Sequence, residues 1–185
     1  MAAYREIAER GFEGLRTREV AREVGVNIAT LHYYFPTKES LIRAVLDHAM
    51  GRFRTTLEPH GSPSSQLRNH LRAVRALMVD ERELGAVMAE LALRSVRDES
   101  IASIMNEMYD GWHVIMRGLL RRAVKEGGLR RELDSDAVAA LIIATLTAMT
   151  LPVMLDANRG DRALGQLERW LGVGARRGGP PESSN

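Results

Sequence analysis

The sequence predicts an all-α fold, a short N-terminal three-helix module followed by a longer helical domain. Three observations carry this. No stretch alternates apolar and polar residues with β-branched enrichment, the pattern of a half-buried strand. Between residues 99 and 126, apolar side chains recur at spacings of three and four and make one helical stripe. Glycine or proline stands where helical runs should stop, at Gly11, Gly25, Pro36 and Gly127-Gly128.

In chain order, a first helix spans Ala2 to Arg10, with Tyr4, Ile7 and Ala8 on one face and Gly11 closing it. A second runs from Arg18 to Val24 with Thr17 as its N-cap. A third follows Asn27 and stops at Phe35, because Pro36 disfavours helical geometry in the residue before it. A fourth starts near Thr37 and carries Leu41, Ala44, Val45 and His48 toward Phe53. Pro59, Gly61, Pro63 and two serines break the run between Glu58 and Ser65. Helices are then expected at 65–79, 83–97, 99–126, 135–156 and 161–172. The stripe of the 99–126 helix is Ile101, Ile104, Met105, Met108, Trp112, Ile115, Met116, Leu119 and Leu120. Ser135 is the expected N-cap of the next helix, with Asp136 in its first turn. The chain divides into residues 1–57, residues 58–173, and a Gly-, Arg-, Pro- and Ser-rich tail, 174–185, expected to be disordered.

Composition narrows the function classes. The 185 residues are 45% hydrophobic and contain no cysteine, which excludes disulfides and thiolate chemistry and agrees with a cytoplasmic location. No apolar segment follows a basic start, so no secretory signal is expected. Residues 137–155 carry no charge, which raises the question of a membrane span. Threonines and a proline dilute that segment, and aspartates flank it, so a buried helix is the better reading. His32, His48, His60, His70 and His113 show no metal-ligand spacing. There is no Gly-rich phosphate loop and no nucleophile elbow. No cofactor and no metal are expected, and an enzyme is disfavoured.

The informative stretch is LRTREVAREVGVNIATLHYYFPTKESL, residues 15–41. Two short helices joined by a turn at Gly25-Val26-Asn27 make a helix-turn-helix. Val20, Ala21 and Val24 should face inward from the first helix, Leu31 and Phe35 from the second, with Val26 plugging the space between them. Left outward are Ile28, Ala29, Thr30, His32 and Tyr33, the residues a major groove would meet. Thr17 and Thr37 stand at helix starts, where free N–H groups and the dipole attract an anion. Lys38 adds a cation there. Arg16, Arg18 and Arg22 are read as a solvated face pairing with Glu19 and Glu23. Residues 1–57 hold nine Lys/Arg against seven Asp/Glu, so the electrostatic case for nucleic acid is local.

This run resembles the DNA-binding domain of the TetR family of transcriptional regulators. The matching features are Gly11-Phe12, Thr17, Ala21, Gly25-Val26, Thr30-Leu31, Tyr34-Phe35, Lys38 and Leu41, at fixed spacing without a gap. The resemblance implies that Ile28, Ala29, Thr30 and Tyr33 approach base edges. It implies that Thr17, His32, Tyr34, Thr37 and Lys38 hold phosphates of double-stranded DNA. The family usually has tyrosine where this chain has His32, so DNA affinity is expected to rise as pH falls from about 8 to about 6. The chain also begins inside the first helix, where family members commonly carry an extra turn or a basic arm.

For residues 58–173 the resemblance implies a ligand-sensing and dimerisation domain. Seven methionines after residue 65 suit core filling or an adaptable pocket. Met88, Leu91, Met105, Met108, Trp112 and Thr147 are the expected lining, which favours an apolar or aromatic effector. Glu90 either lies inside or pairs with Arg94 on the surface, and the second reading is preferred. The last two helices are expected to form a two-fold homodimer face, with Leu164, Leu167, Trp170 and Leu171 on the second. Together these imply a repressor that binds a near-palindromic operator as a dimer and is released by its effector. The alternative is a ligand-binding or interaction protein of the same fold without sequence-specific DNA binding.

Overall fold

The computed structural model describes residues 2–57, 59–151 and 157–173. The tail at 174–185 and the 152–156 end of the expected penultimate helix therefore lie outside the described residues. Among the described residues there are nine helices and no strand. They are α1 (Ala2–Gly14), α2 (Thr17–Glu23), α3 (Ile28–Tyr34), α4 (Lys38–Arg54), α5 (Pro63–Asp80), α6 (Arg82–Ser95), α7 (Glu99–Lys125), α8 (Ser135–Ala148) and α9 (Ala157–Leu171).

Local chemistry sets most of the boundaries. Asn27, Thr37, Ser62, Asp98 and Asp134 each stand at a helix start and accept from a first-turn amide, which satisfies donors the helix leaves unpaired. Two expected caps are corrected. Arg16, extended and without a side-chain cap, precedes α2, so Thr17 is already its first helical residue. Asp134 rather than Ser135 caps α8, because its carboxylate reaches the N–H groups of both Asp136 and Ala137. Gly11 does close the first regular helical run, as expected. That glycine takes a left-handed φ of 69°, and helical bonding resumes to Gly14.

One continuous core runs through both parts of the chain. α7 lies at its centre, packed on α5, α6 and α8, and its stripe is buried at Ile101, Ile104, Met105, Trp112, Met116, Leu119 and Leu120. α1 packs chiefly against α6, so the N-terminal module is seated on the larger domain. α4 crosses from the one to the other and touches α7. No helix is long and apolar enough to cross a membrane among the residues described. α8 instead buries Ala139, Ile142, Ile143 and Leu146 against its neighbours.

Candidate DNA interface and effector cavity

α2 and α3 are held together by small contacts. Val20 and Ala21 from α2 and Leu31 from α3 are buried, and full burial of one such leucine contributes about 2 kcal/mol. The turn is closed by backbone, with Gly25 at φ 71° and the Val26 N–H donating to the Ala21 carbonyl at 3.0 Å. Val24 and Val26 are therefore not the inward residue and the plug expected of them: both side chains are exposed. Asn27 fixes the entry to α3 by accepting from the Thr30 N–H at 2.7 Å.

With Leu31 anchored, the opposite face of α3 is bare. Ile28, Ala29 and His32 are exposed, and Thr30 is half-buried. Tyr33 is 82% and Tyr34 69% exposed, their rings meeting edge to face at 5.2 Å. Apart from that mutual contact, neither aromatic is packed into the core. At the start of α4 a reciprocal capping box joins Thr37 and Ser40. The Thr37 hydroxyl accepts the Ser40 N–H at 3.1 Å, and its own proton remains available to an anion. Lys38 follows, half-buried, and Thr17 is half-buried at the tip of α2. Arg22 pairs with Glu19, as its spacing suggests, while Glu23 pairs with Arg5 of α1.

The second site is a cavity of about 270 Å³ between α4, α5 and α7. Leu46, Phe53, His70, Met108, Trp112 and Ile115 form its apolar and aromatic wall. Its exposed rim carries charge: Arg43 pairs with Glu107 at 2.6 Å, and Asp47 and Arg54 stand nearby. The bond from Arg43 and its positive charge hold the Glu107 carboxyl below the usual carboxylate range. Beyond Met50, Phe53, Met108 and Trp112 lies a smaller cleft of about 20 Å³, room for little more than one water. Met88, Met108, Trp112 and Thr147 line that cleft, whereas Leu91 and Met105 lie in the core and line neither space.

A buried polar chain crosses the cavity wall. The Trp112 indole, a donor only, gives its N–H to His70 Nε2 at 3.2 Å. The neutral imidazole therefore carries its proton on Nδ1, 2.8 Å from Thr56 Oγ1. The Thr56 hydroxyl in turn donates to the Phe53 carbonyl at 2.6 Å. Burial pushes the His70 pKa down to about 4, so the ring is neutral at pH 7. Phe53 and Trp112 stack at 5.9 Å across the same wall. Sequence reasoning missed Phe53, His70, Arg43 and Glu107, since nothing in helical spacing shows where α4 crosses α7. Glu90 is also corrected: it does not pair with Arg94 but accepts the Phe12 N–H at 2.7 Å, while Arg94 pairs with Glu13 and Asp98. Among the described residues, no group of acidic or histidine side chains could hold a metal ion.

Comparison with known proteins agrees with this arrangement. Residues 1–45 match the family described as bacterial regulatory proteins, tetR family, and residues 57–167 match the tetracyclin repressor-like C-terminal domain. The fatty acid metabolism regulator protein of Bacillus subtilis (strain 168) is 26% identical over 149 residues, 78% of this chain and 76% of that protein. The HTH-type transcriptional regulator PksA of the same organism is 24% identical over 174 residues, 87% of this chain and 79% of its own. A TetR-family regulator from Rhodococcus sp. superposes with a TM-score of 0.82 at 22% identity, covering 92% of this chain and 94% of that one. FadR from Bacillus subtilis, solved in complex with stearoyl-CoA, gives 0.74 at 23% identity, covering 90% and 94%. The class is thus a helix-turn-helix transcriptional regulator rather than an enzyme. The chain belongs to the TetR family.

Proposed function

We propose that this regulator is a repressor that binds a near-palindromic operator as a homodimer and leaves it when a small amphipathic molecule enters the cavity between α4, α5 and α7. The carrying observation is the path of α4. This one helix of 17 residues, about 25 Å long, begins at Thr37 and Lys38 beside the reading helix. It ends at Met50 and Phe53 in the cavity wall. A ligand that prefers a different position of Phe53 therefore also prefers a different position of Lys38, and such a preference shifts the population.

In this reading Ile28, Ala29, Thr30 and Tyr33 meet base edges, and Thr17, His32, Tyr34, Thr37 and Lys38 meet phosphates. Residues up to about 57 form the DNA-reading part, and residues 58–173 the sensor. An apolar wall under a charged rim suits a ligand with an apolar body and a charged end. The similarity to a fatty acid metabolism regulator and to a regulator solved with stearoyl-CoA favours an acyl compound. Dimerisation is assigned to α8 and α9 through the exposed Ala137, Ala140, Leu141, Ala144 and Trp170; Leu164, Leu167 and Leu171, expected on that face, are instead buried in the chain's own core.

The test is binding to duplexes from upstream of the regulator's own gene, over a salt series, for the wild-type chain and Tyr33→Ala. One fragment should bind with affinity falling steeply as salt rises, and Tyr33→Ala should weaken it about tenfold or more with the melting temperature unchanged. If no duplex, including those from a random pool, is preferred over bulk DNA, the ligand-binding reading without DNA recognition takes its place.

A further inference from the structure

The N-terminal module and the sensor meet at the break in α1. Gly11 has φ 69° and ψ 179°, and just beyond it the Phe12 N–H donates to Glu90 Oε1 of α6 at 2.7 Å. A Cβ at position 11 would stand 3.2 Å from that same oxygen, so glycine permits both the backbone conformation and the approach. The Phe12 ring has two cations over it. Arg94 of α6 lies 4.7 Å from its centroid, and Lys38 Nζ lies 4.0 Å from it. Lys38 Nζ also donates to the Phe12 carbonyl at 3.4 Å, and Arg94 pairs with Glu13 at 2.6 Å. The ammonium at the start of α4 is thus parked on a turn that α6 grips.

We infer that Glu90 is a positioning residue for the phosphate contact of Lys38. It fixes the turn at Gly11, and the Phe12 ring and carbonyl in that turn hold the Lys38 ammonium where a phosphate docks. The inference rests on the DNA-binding reading above. A lysine side chain has many rotamers, and ordering them costs affinity unless the free protein has already done it. Here a ring face and a carbonyl do so, and both follow the position of Phe12. One N–H of the ammonium is used, leaving two for a phosphate.

The experiment uses the full chain and the duplex it selects from a random pool. Affinity is measured across a salt series for wild type, Glu90→Ala, Glu90→Gln, Lys38→Met and the Glu90→Ala/Lys38→Met pair, with a thermal melt of each. Glu90→Ala should lower affinity about five- to tenfold and flatten the slope of log affinity against log salt by about one, the signature of one lost phosphate contact. Glu90→Gln, which keeps an oxygen for the Phe12 N–H, should restore most of both. Adding Glu90→Ala to Lys38→Met should change neither. Phe12→Leu retains an apolar side chain but removes the ring face, and should flatten the slope even if Glu90→Ala proves too unstable to assay. If Glu90 only glues the two parts together, Glu90→Ala lowers the melting temperature, keeps the wild-type slope and adds to Lys38→Met. That outcome, or an unchanged slope in Phe12→Leu, overturns the inference while the DNA reading stands. A wild-type chain that selects no duplex overturns both.

Discussion

His70 shows how one buried side chain can set a pH limit. Its ring is fully enclosed, hydrogen-bonded at both nitrogens, and titrates near 4 in place of the ordinary 6.5. As pH falls, the unfolded chain takes up this proton first, so unfolding is favoured. The stabilisation is complete above 6.5 and drains away between 6.5 and about 4, by up to about 3 kcal/mol. His70→Gln cannot take up that proton. It should be less stable than wild type at pH 7.5, and the gap should narrow toward pH 4, as read from urea unfolding at a series of pH values. A gap that stays constant would mean that His70 charges with little penalty where it sits.

At the scale of elements, α9 buries Leu164, Leu167 and Leu171 in the core and is tied further to α5 by charge. Arg68, Arg72 and Arg75, three and four residues apart on α5, reach the Val173 carbonyl, Glu168 and Asp161. Arg72 meets Glu168 through two bonds of 2.7 Å. The glutamate is 6% exposed, so removing its partner leaves a carboxylate poorly solvated. Arg72→Ala should cost about 1–3 kcal/mol, discounted because the arginine itself is half exposed. Glu168→Gln should cost less, since it leaves no buried charge. Chemical unfolding of the two variants gives the order, and the reverse order would show that the arginine stem rather than the ion pair holds α9.

For the whole molecule, the proposed switch requires two copies. The face of α8 turned away from the core presents Ala137, Ala140, Leu141 and Ala144 at helical spacing. Small residues there let a second copy approach closely, and Trp170 on α9 offers a large apolar group. Ala140→Glu places a charge in the middle of that face. Light scattering should give twice the 20.6 kDa chain mass for wild type and the single mass for Ala140→Glu at micromolar concentration. The fold should survive, because Ala140 contributes nothing to the core, and operator affinity should fall as two half-sites are no longer bound together. A variant that remains dimeric would move the interface elsewhere.

What the amino-acid sequence determined by itself was local. Gly25, Asn27, Pro36 and Thr37 mark the ends of α2, α3 and the start of α4 through backbone preferences that need no distant partner. The spacing of Leu31 against Tyr33 and Tyr34 then shows which face of α3 is free. Even there the limits of local reading appear. Arg16 precedes α2 and Asp134 caps α8, each one residue from the expected cap, because the choice between adjacent polar residues depends on chain direction into the helix. The cavity proposed for the effector was decided by tertiary structure. Met108 and Trp112, which line it, and Met88 and Thr147, which line only the inner cleft, could be named as apolar or small residues of the right helices, but Leu91 and Met105 carry the same signal and lie in solid core. Helical period states that a residue faces inward and does not state whether another side chain fills the space it faces. Glu90 was legible only as a charge on a helix. Its partner is a backbone N–H 78 positions away, and such pairings follow from how α1 packs on α6.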